Sequence, residues 1–481
     1  MEKVAVDCAS TPNRAKDVIS DDLTYYDGSA TLGAAPTKGD PTTTKRLQSH
    51  NGTTATYQTT AVTNYDDYGR PKVVKDAETA SSQTQYTSST VYTDTYGLAT
   101  KAVVTNIDGW TTSTEYAPAW GQPTAKVDQN GLRTDLAYDG FGRLVSVWMP
   151  DRPKGNNFTP SIKYEYLIRG DDGPAAVHTQ KIENDGTTYG NEWSLYDGWL
   201  RPRQEQTQGE GGRMVADTLY DGSGRVAQVN DPSSDLFDPV DADLDAQTVT
   251  TYDGAGRTTA SIFKVQGTEK YRTTYTYGGD RVTTTPPKGG VRTTAVKDGR
   301  DRTTTQIQYP TDGAAVTTSY GYNAAGQLTR MTDDKGNNWT YTYDQLGRKE
   351  TASDPDAGSS SYTWDLLDRQ TSVTVNGDKT STVYDELGRV ASTWQGDPTT
   401  GTRLSVSKYD TVYKGELYGV YTYKDGAVYS SVTYPTLDVD NDYLPLSTKY
   451  YLSKTAEPQL GGTYEFGAGY NDDGTLNYQT L

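Results

Sequence analysis

The chain has 481 residues, a formal net charge of −18, a pI near 4.6 and a mean hydropathy of −0.78. Its lysines and arginines form no run that could track a phosphate backbone, so no nucleic-acid partner is expected, and no stretch approaches the ~18 apolar residues of a membrane-spanning helix. Cys8 is the single cysteine, which rules out an intramolecular disulfide and a thiolate metal cluster and leaves a thiol without a role.

Leu, Ile, Val and Phe make up roughly 15% of the residues, a share that taken alone signals disorder. The 39 tyrosines and 8 tryptophans point the other way, because each ring can bury about 150–250 Å² while its OH or NH stays paired or wet. A folded chain with a thin, partly hydrated core is therefore expected. Its acidity, with abundant Thr, Asn and Gly, fits an extracellular or cell-wall-associated protein. The start, MEKVAVDCAS, lacks the basic and apolar stretches of a signal peptide, so export is signalled elsewhere or the chain is an internal piece of a longer polypeptide.

In chain order, residues 1–64 read as an irregular N-terminal segment with early strands, rich in Gly and Pro over residues 33–41. From residue 65 to 481 a unit recurs in which Tyr-Asp is followed, two residues later, by Gly-Arg. Full copies are Tyr65, Asp66, Gly69, Arg70; Tyr138, Asp139, Gly142, Arg143; Tyr220, Asp221, Gly224, Arg225; Tyr252, Asp253, Gly256, Arg257; Tyr343, Asp344, Gly347, Arg348; and Tyr384, Asp385, Gly388, Arg389. Degenerate copies begin at Tyr196, Tyr277, Tyr322, Trp364 and Tyr470. A spacing of about 20–30 residues marks a repeat array, which can run on as one body without internal boundaries.

Two insertions interrupt the rhythm, residues 150–160 (PDRPKGNNFTP) and the acidic residues 231–245. Such insertions map to exposed loops that can contact partners. Residues 333–394 show the repeat most plainly. Asp333-Asp334-Lys335-Gly336 reads as a turn; Asn338 to Tyr343 alternates, with Trp339, Tyr341 and Tyr343 on one face; and Asn376-Gly377 suits a tight hairpin. Each unit then has mechanical roles: Tyr ends a strand with its ring toward the core, Asp caps the turn, Gly takes the strained position and Arg opens the return strand. That arginine is expected to lie along a neighbouring ring or pair with a carboxylate in the adjacent repeat. No extended helical periodicity appears.

These units resemble the YD repeats of the Rhs family, which includes bacterial wall-associated and polymorphic-toxin proteins and, more distantly, the teneurins. The resemblance runs from Tyr65 to the end of the chain. It implies an all-β fold, an antiparallel hairpin array coiling into a hollow shell or part of one, and in such proteins the shell encloses a C-terminal toxin or its remnant. The chain departs from the complete pattern: no Asp-Pro-x-Gly core-ending signature is present, and Asp354-Pro355-Asp356-Ala357-Gly358 has the wrong spacing and is followed by further repeats. It looks like the middle section of a longer polypeptide, so autoproteolysis and toxin activity do not carry over.

Constellations for chemistry are poor. His50 and His178 are the only histidines and lack metal-ligand spacing; a loop and a strand histidine are the plain readings. Ser223, in DGSGR, lacks the first glycine of a nucleophile elbow and already belongs to a repeat turn. Residues 332–339 resemble a single Asp box, a turn motif without catalytic duty. In residues 438–442, Tyr443 and Lys449 stand where an EF-hand needs glycine and glutamate, leaving only incidental calcium binding there or at 231–245. No enzyme activity and no cofactor are expected. The leading reading is a shell segment that encloses, shields or delivers another polypeptide, with the rest of its parent chain or a toxin domain as partner and self-association through exposed strand edges. The alternatives are an adhesion or carbohydrate-binding module that stacks its rings on sugars, and a hydrolase using paired carboxylates, for which nothing selects a pair.

Overall fold

A computed structural model describes residues 2–4, 11, 13, 17–82, 84–168, 170, 173–209, 212–234, 246–439, 443–471 and 474–481. Cys8, residues 235–245 of the acidic insertion and residues 440–442 lie outside the described residues.

Among the described residues thirty-seven strands form one sheet, and each pairs antiparallel with the next in sequence. Among the described residues the only helical element is a short 3-10 turn, Lys154–Asn156, in the first insertion. The strands are short because the sequence punctuates them. Asn338–Tyr343 alternates between exposed and half-buried positions, with Trp339, Tyr341 and Tyr343 on the less exposed face. The hairpin after Gln370–Val375 turns at Asn376 and Gly377, with φ of 51° and 97°, the left-handed pair that a two-residue turn matching strand twist requires.

The sheet starts before the first full repeat. Val18–Tyr26, Pro41–His50 and Ala55–Tyr65 pair in succession and continue into Pro71–Asp76 without a break. Among the described residues Glu2–Val4 and Leu476–Thr480 each pair on one side only, and the sheet does not close on itself.

A single sheet has no second layer against which to bury a face, and the core shows it. Buried apolar side chains are few and scattered, among them Val18, Leu47, Ala125, Val147, Ile182 and Val215, and they are mixed with buried polar groups such as Gln58, Gln206, Asp217, Asn230 and Gln247. The accessible surface is 27930 Å². A compact monomer of 52.6 kDa would expose about 17,600 Å². The excess is that of a wall wetted on both faces.

A strictly sequential meander has two rims. Counting strands in chain order, every Tyr-Asp turn follows an even-numbered strand, so all of them fall on one rim, here the corner rim. The intervening turns, including residues 106–111, 127–133, 182–189 and 375–378, form the opposite, loop rim. The strip coils: the turn after Asn338–Tyr343 reaches the loop-rim end of Val18–Tyr26, where Gln345 Nε2 donates to the carbonyls of Val18 (2.8 Å) and Ile19 (3.2 Å). One circuit therefore takes about 24 strands, a strip on the order of 115 Å long at ~4.8 Å per strand. The architecture is a β-shell spiral, with the corner rim of the second, partial circuit resting on the loop rim of the first.

Candidate functional site

Two features carry the wall, the repeated corner and the seam between circuits. In the corner the aspartate does most of the local work. Asp221 Oδ1 accepts the backbone N–H groups of Ser223 (2.9 Å) and Arg225 (3.0 Å), while Oδ2 accepts Arg225 Nε at 2.8 Å. The Asp221 N–H bonds the Arg225 carbonyl (2.8 Å), and the Gly224 N–H bonds the Asp221 carbonyl (2.9 Å). The same set recurs at Asp66, Asp139, Asp253 and Asp385, and at Asp344 through Arg348. Gly69, Gly142, Gly224, Gly256, Gly347 and Gly388 hold φ between 75° and 85°, where a Cβ is strained.

The arginine differs from the expectation in its first partner, which is the aspartate of its own turn. Pairing into a neighbouring repeat is added at Arg70–Asp94 (2.7 Å), Arg348–Asp368 (3.0 Å) and Arg389–Asp410 (2.7 Å). Its planar face lies over the aromatic ring that ends the strand before the next corner-rim turn: Arg201 over Tyr220 at 4.0 Å, Arg225 over Tyr252 at 4.6 Å, Arg257 over Tyr277 at 4.2 Å, Arg369 over Tyr384 at 4.7 Å. That tyrosine in turn donates its OH to the carbonyl of the residue after the same arginine, as Tyr220 does to Pro202 (2.7 Å), Tyr252 to Val226 (2.7 Å) and Tyr384 to Gln370 (2.9 Å). Trp364 does the same through its indole N–H to Lys349 (2.9 Å). Tyr65, Tyr138 and Tyr343 donate likewise to Pro41, Pro123 and Leu328. Each corner thus clamps the next, so the array is bound by nearest-neighbour terms.

Sequence reading missed one full corner. Asp298 bonds the N–H groups of Arg300 and Arg302 and the Arg302 guanidinium, with Asp301 taking the glycine's place at φ 63°. Lys297 precedes it instead of Tyr, and Asp-to-Arg spacing of four residues was the signal that would have found it. Conversely, Tyr277 opens no corner: Gly278 pairs with Arg281 across a two-residue hairpin. The Asp333 turn is a corner of the loop rim, with Asn337 in the arginine's place.

Electrostatics follow from this wiring. Backbone N–H donation, chiefly from Arg143, Arg225 and Arg257, holds Asp139, Asp221 and Asp253 below the usual carboxylate range. The Arg302 side chain brings Asp298 down to about 2.

Along the seam, Arg46 Nη2 bonds Asp368 (2.8 Å) and Gln58 Nε2 bonds the Leu366 carbonyl (2.6 Å). Arg369 pairs with Glu78 at 2.7 Å. Farther along, the Lys414 N–H bonds Asn130 Oδ1 (2.8 Å), the Tyr443 hydroxyl donates to Asp128, and Asn184 bonds Asn471 (2.8 Å). Burial, and then the Asp128 carboxylate, push the Tyr443 hydroxyl well above its ordinary pKa. Arg46, more than Arg348, holds the Asp368 carboxyl low.

Groups that could act chemically are otherwise engaged. His178 is buried, stacked on Trp193 at 3.8 Å, and bonded through Nε2 to Asn191 (2.8 Å). His50 Nδ1 accepts the Gly52 N–H at the end of a strand. A cavity of about 510 Å³ opens at the start of the seam between Val18, Arg46, Asn323 and Gln345; of its carboxylates, Asp21 accepts the Tyr57 hydroxyl (2.6 Å) and Asp344 is tied to Arg348. Among the described residues no cluster of metal-ligating side chains occurs, and no helix is long and apolar enough to cross a membrane. Of the repeat tyrosines, Tyr220, Tyr252 and Tyr384 each lie under an arginine.

The RHS Repeat family profile matches residues 118–151 and 322–359. No curated protein matches the chain. Solved structures match over 96% of it: TcdB2-TccC3, at 14% identity and a TM-score of 0.76; TcdB2-TccC3 without its hypervariable C-terminal region, at 13% and 0.76; and the Tc holotoxin pore of Photorhabdus luminescens, at 13% and 0.74. The chain spans 29%, 31% and 32% of those chains, and at such identities the likeness is one of fold. The profile matches mark RHS repeats at two places in the chain, and the spiral wall shares the fold of those Tc toxin structures, as the resemblance of the Tyr-Asp-x-x-Gly-Arg units to YD repeats implied.

Proposed function

We propose that the chain is a wall segment of a toxin-type Rhs shell, acting outside the producing cell, whose role is to enclose, shield or deliver another polypeptide, and that the wall performs no catalytic step. The observation that carries this is the one-layer spiral itself. About 10,000 Å² of surface beyond that of a compact monomer of this mass is held open by corner and seam contacts, an arrangement suited to separating two spaces. Its partners on this reading are the remaining segments of its parent polypeptide and the enclosed domain, and the open sides of its two edge strands are where the sheet would continue or self-associate.

Limited proteolysis tests it. In the natural polypeptide, an enclosed segment should survive protease at least tenfold longer than the same segment expressed alone, and substitutions that loosen the seam, Arg46→Ala with Arg369→Ala, should shorten that survival. Equal digestion of the segment with and without the wall would overturn the reading.

A further inference from the structure

An asparagine followed by glycine is chemically labile, because a residue without a Cβ lets its backbone nitrogen reach the asparagine Cγ. The chain has three such pairs, Asn51-Gly52, Asn130-Gly131 and Asn376-Gly377. Two of them are exposed and bonded locally. Asn51 Oδ1 accepts the Thr53 and Thr54 N–H groups of its own loop, and the Asn376 carboxamide bonds Ser359 (3.0 Å) and Ala357 (2.8 Å) in the turn alongside. Asn130 is half-buried and bonded across the seam. Its Oδ1 accepts the Lys414 N–H (2.8 Å), while its Nδ2 donates to the Lys414 carbonyl (3.1 Å) and to the Tyr443 hydroxyl (2.8 Å). The Gly131 N–H is held as well, donating to the Asp128 carbonyl at 3.1 Å. The close approach of the two circuits depends on Gly415, at φ 93°, where a Cβ would come within 2.7 Å of Gln129 Nε2.

We propose that Asn130-Gly131 is a deamidation site which the closed seam protects and the open seam releases, a one-way latch between the two circuits. While the seam is closed, the carboxamide is fixed against the Lys414 backbone and the Gly131 nitrogen is engaged, so Cγ is not presented to it. Local opening of the seam frees all the carboxamide bonds together. The Gly131 nitrogen, its proton taken by hydroxide, then attacks Cγ. The new C–N bond closes a succinimide ring, the Cγ–Nδ2 bond breaks, and Nδ2 leaves as ammonia with a proton from water. Water then adds to either ring carbonyl and opens it to aspartate or isoaspartate. The product carboxylate cannot donate to the Lys414 carbonyl or to Tyr443, and it stands beside Asp128, which already accepts the Tyr443 hydroxyl. Isoaspartate also lengthens the backbone of a turn in which Asp128 Oδ1 accepts the N–H groups of residue 130 (2.9 Å) and Leu132 (2.8 Å). A seam held open long enough to react therefore does not reclose at this point, whatever the wall encloses.

Peptide mapping by mass spectrometry, on the whole chain incubated at mildly alkaline pH, tests this. Loosening the seam with Arg46→Ala, Arg369→Ala and Tyr443→Phe together should speed conversion at Asn130 at least tenfold. Asn376, whose partners lie in its own circuit, should keep its rate and so serves as the internal reference for an intact fold. Asn130→Asp reproduces one product directly. In that variant the Lys414 amide should exchange with solvent at least tenfold faster than in the unaltered chain, with far-ultraviolet circular dichroism unchanged. Conversion at Asn130 that the three substitutions do not accelerate, acceleration shared equally by Asn376, or unchanged exchange at Lys414 in the Asn130→Asp variant would overturn the proposal.

Discussion

Asp221 and its counterparts show how one carboxylate organises six residues. It satisfies two backbone N–H groups that a turn would otherwise leave to water and fixes the guanidinium that reaches the next repeat. The glycine is required by conformation and not by crowding. Gly256, at φ 81° with only Arg225 Nη1 near its Cβ position at 3.6 Å, should lose about 1–2 kcal/mol on substitution by alanine. Gly254 in the same turn has no positive φ and open space around it, so Gly254→Ala should be neutral or stabilising by about 0.4–1 kcal/mol; chemical denaturation of the two variants should give opposite signs. The corner also sets a pH response. Asp139, Asp221, Asp253 and Asp298 have folded pKa values below the ordinary 3.8, so in that window the unfolded chain binds more protons and stability falls as pH falls. Their contribution should be full above about pH 4 and should drain away as pH drops through the folded values, to about 2 for Asp298. Circular dichroism and tryptophan fluorescence through an acid titration would check it; a wall that loosens already between pH 6 and 5 would mean other groups control acid stability.

The hairpin is the next unit, and what joins one to the next is the arginine–tyrosine clamp. Removing one hydroxyl, Tyr252→Phe, deletes the bond to the Val226 carbonyl and should cost about 0.5–1.5 kcal/mol. A double-mutant cycle with Arg225→Lys, which keeps the charge but loses the planar face over the ring, should show coupling of about 0.5–1 kcal/mol. Hydrogen exchange should localise the loss to the strands Val226–Ser234 and Gln247–Tyr252, as expected of a quasi-one-dimensional array; loss spread evenly over the whole sheet would contradict nearest-neighbour binding. At this scale much was readable in advance, because alternation, turn residues and corner chemistry all act within about twenty residues. Where reading failed it was also local: Asp298 lacks the tyrosine that flags a corner, and Tyr277 has the tyrosine but a two-residue turn.

At the scale of the molecule, the seam decides whether the strip is a ribbon or a wall. Tyr443→Phe removes a hydrogen bond to the Asp128 carboxylate, a loss of about 1.5–3 kcal/mol for a charged acceptor, borne by the seam and not by the strands. Combined with Arg46→Ala and Arg369→Ala, it should raise the radius of gyration in small-angle scattering while far-ultraviolet circular dichroism stays unchanged. An unchanged radius would mean that strand twist alone holds the coil. The sequence by itself determined the class of fold and the repeat, because strand alternation and turn residues act within a few residues of one another and the pattern recurs along the chain. Only the tertiary structure decided which turns meet. Gln345 bonds Val18 and Ile19 from more than three hundred residues away, and Asn130 meets Lys414 across 284. No local pattern encodes that pairing, since one turn's carbonyls and amides look like another's until the accumulated twist of about 24 strands brings two rims together.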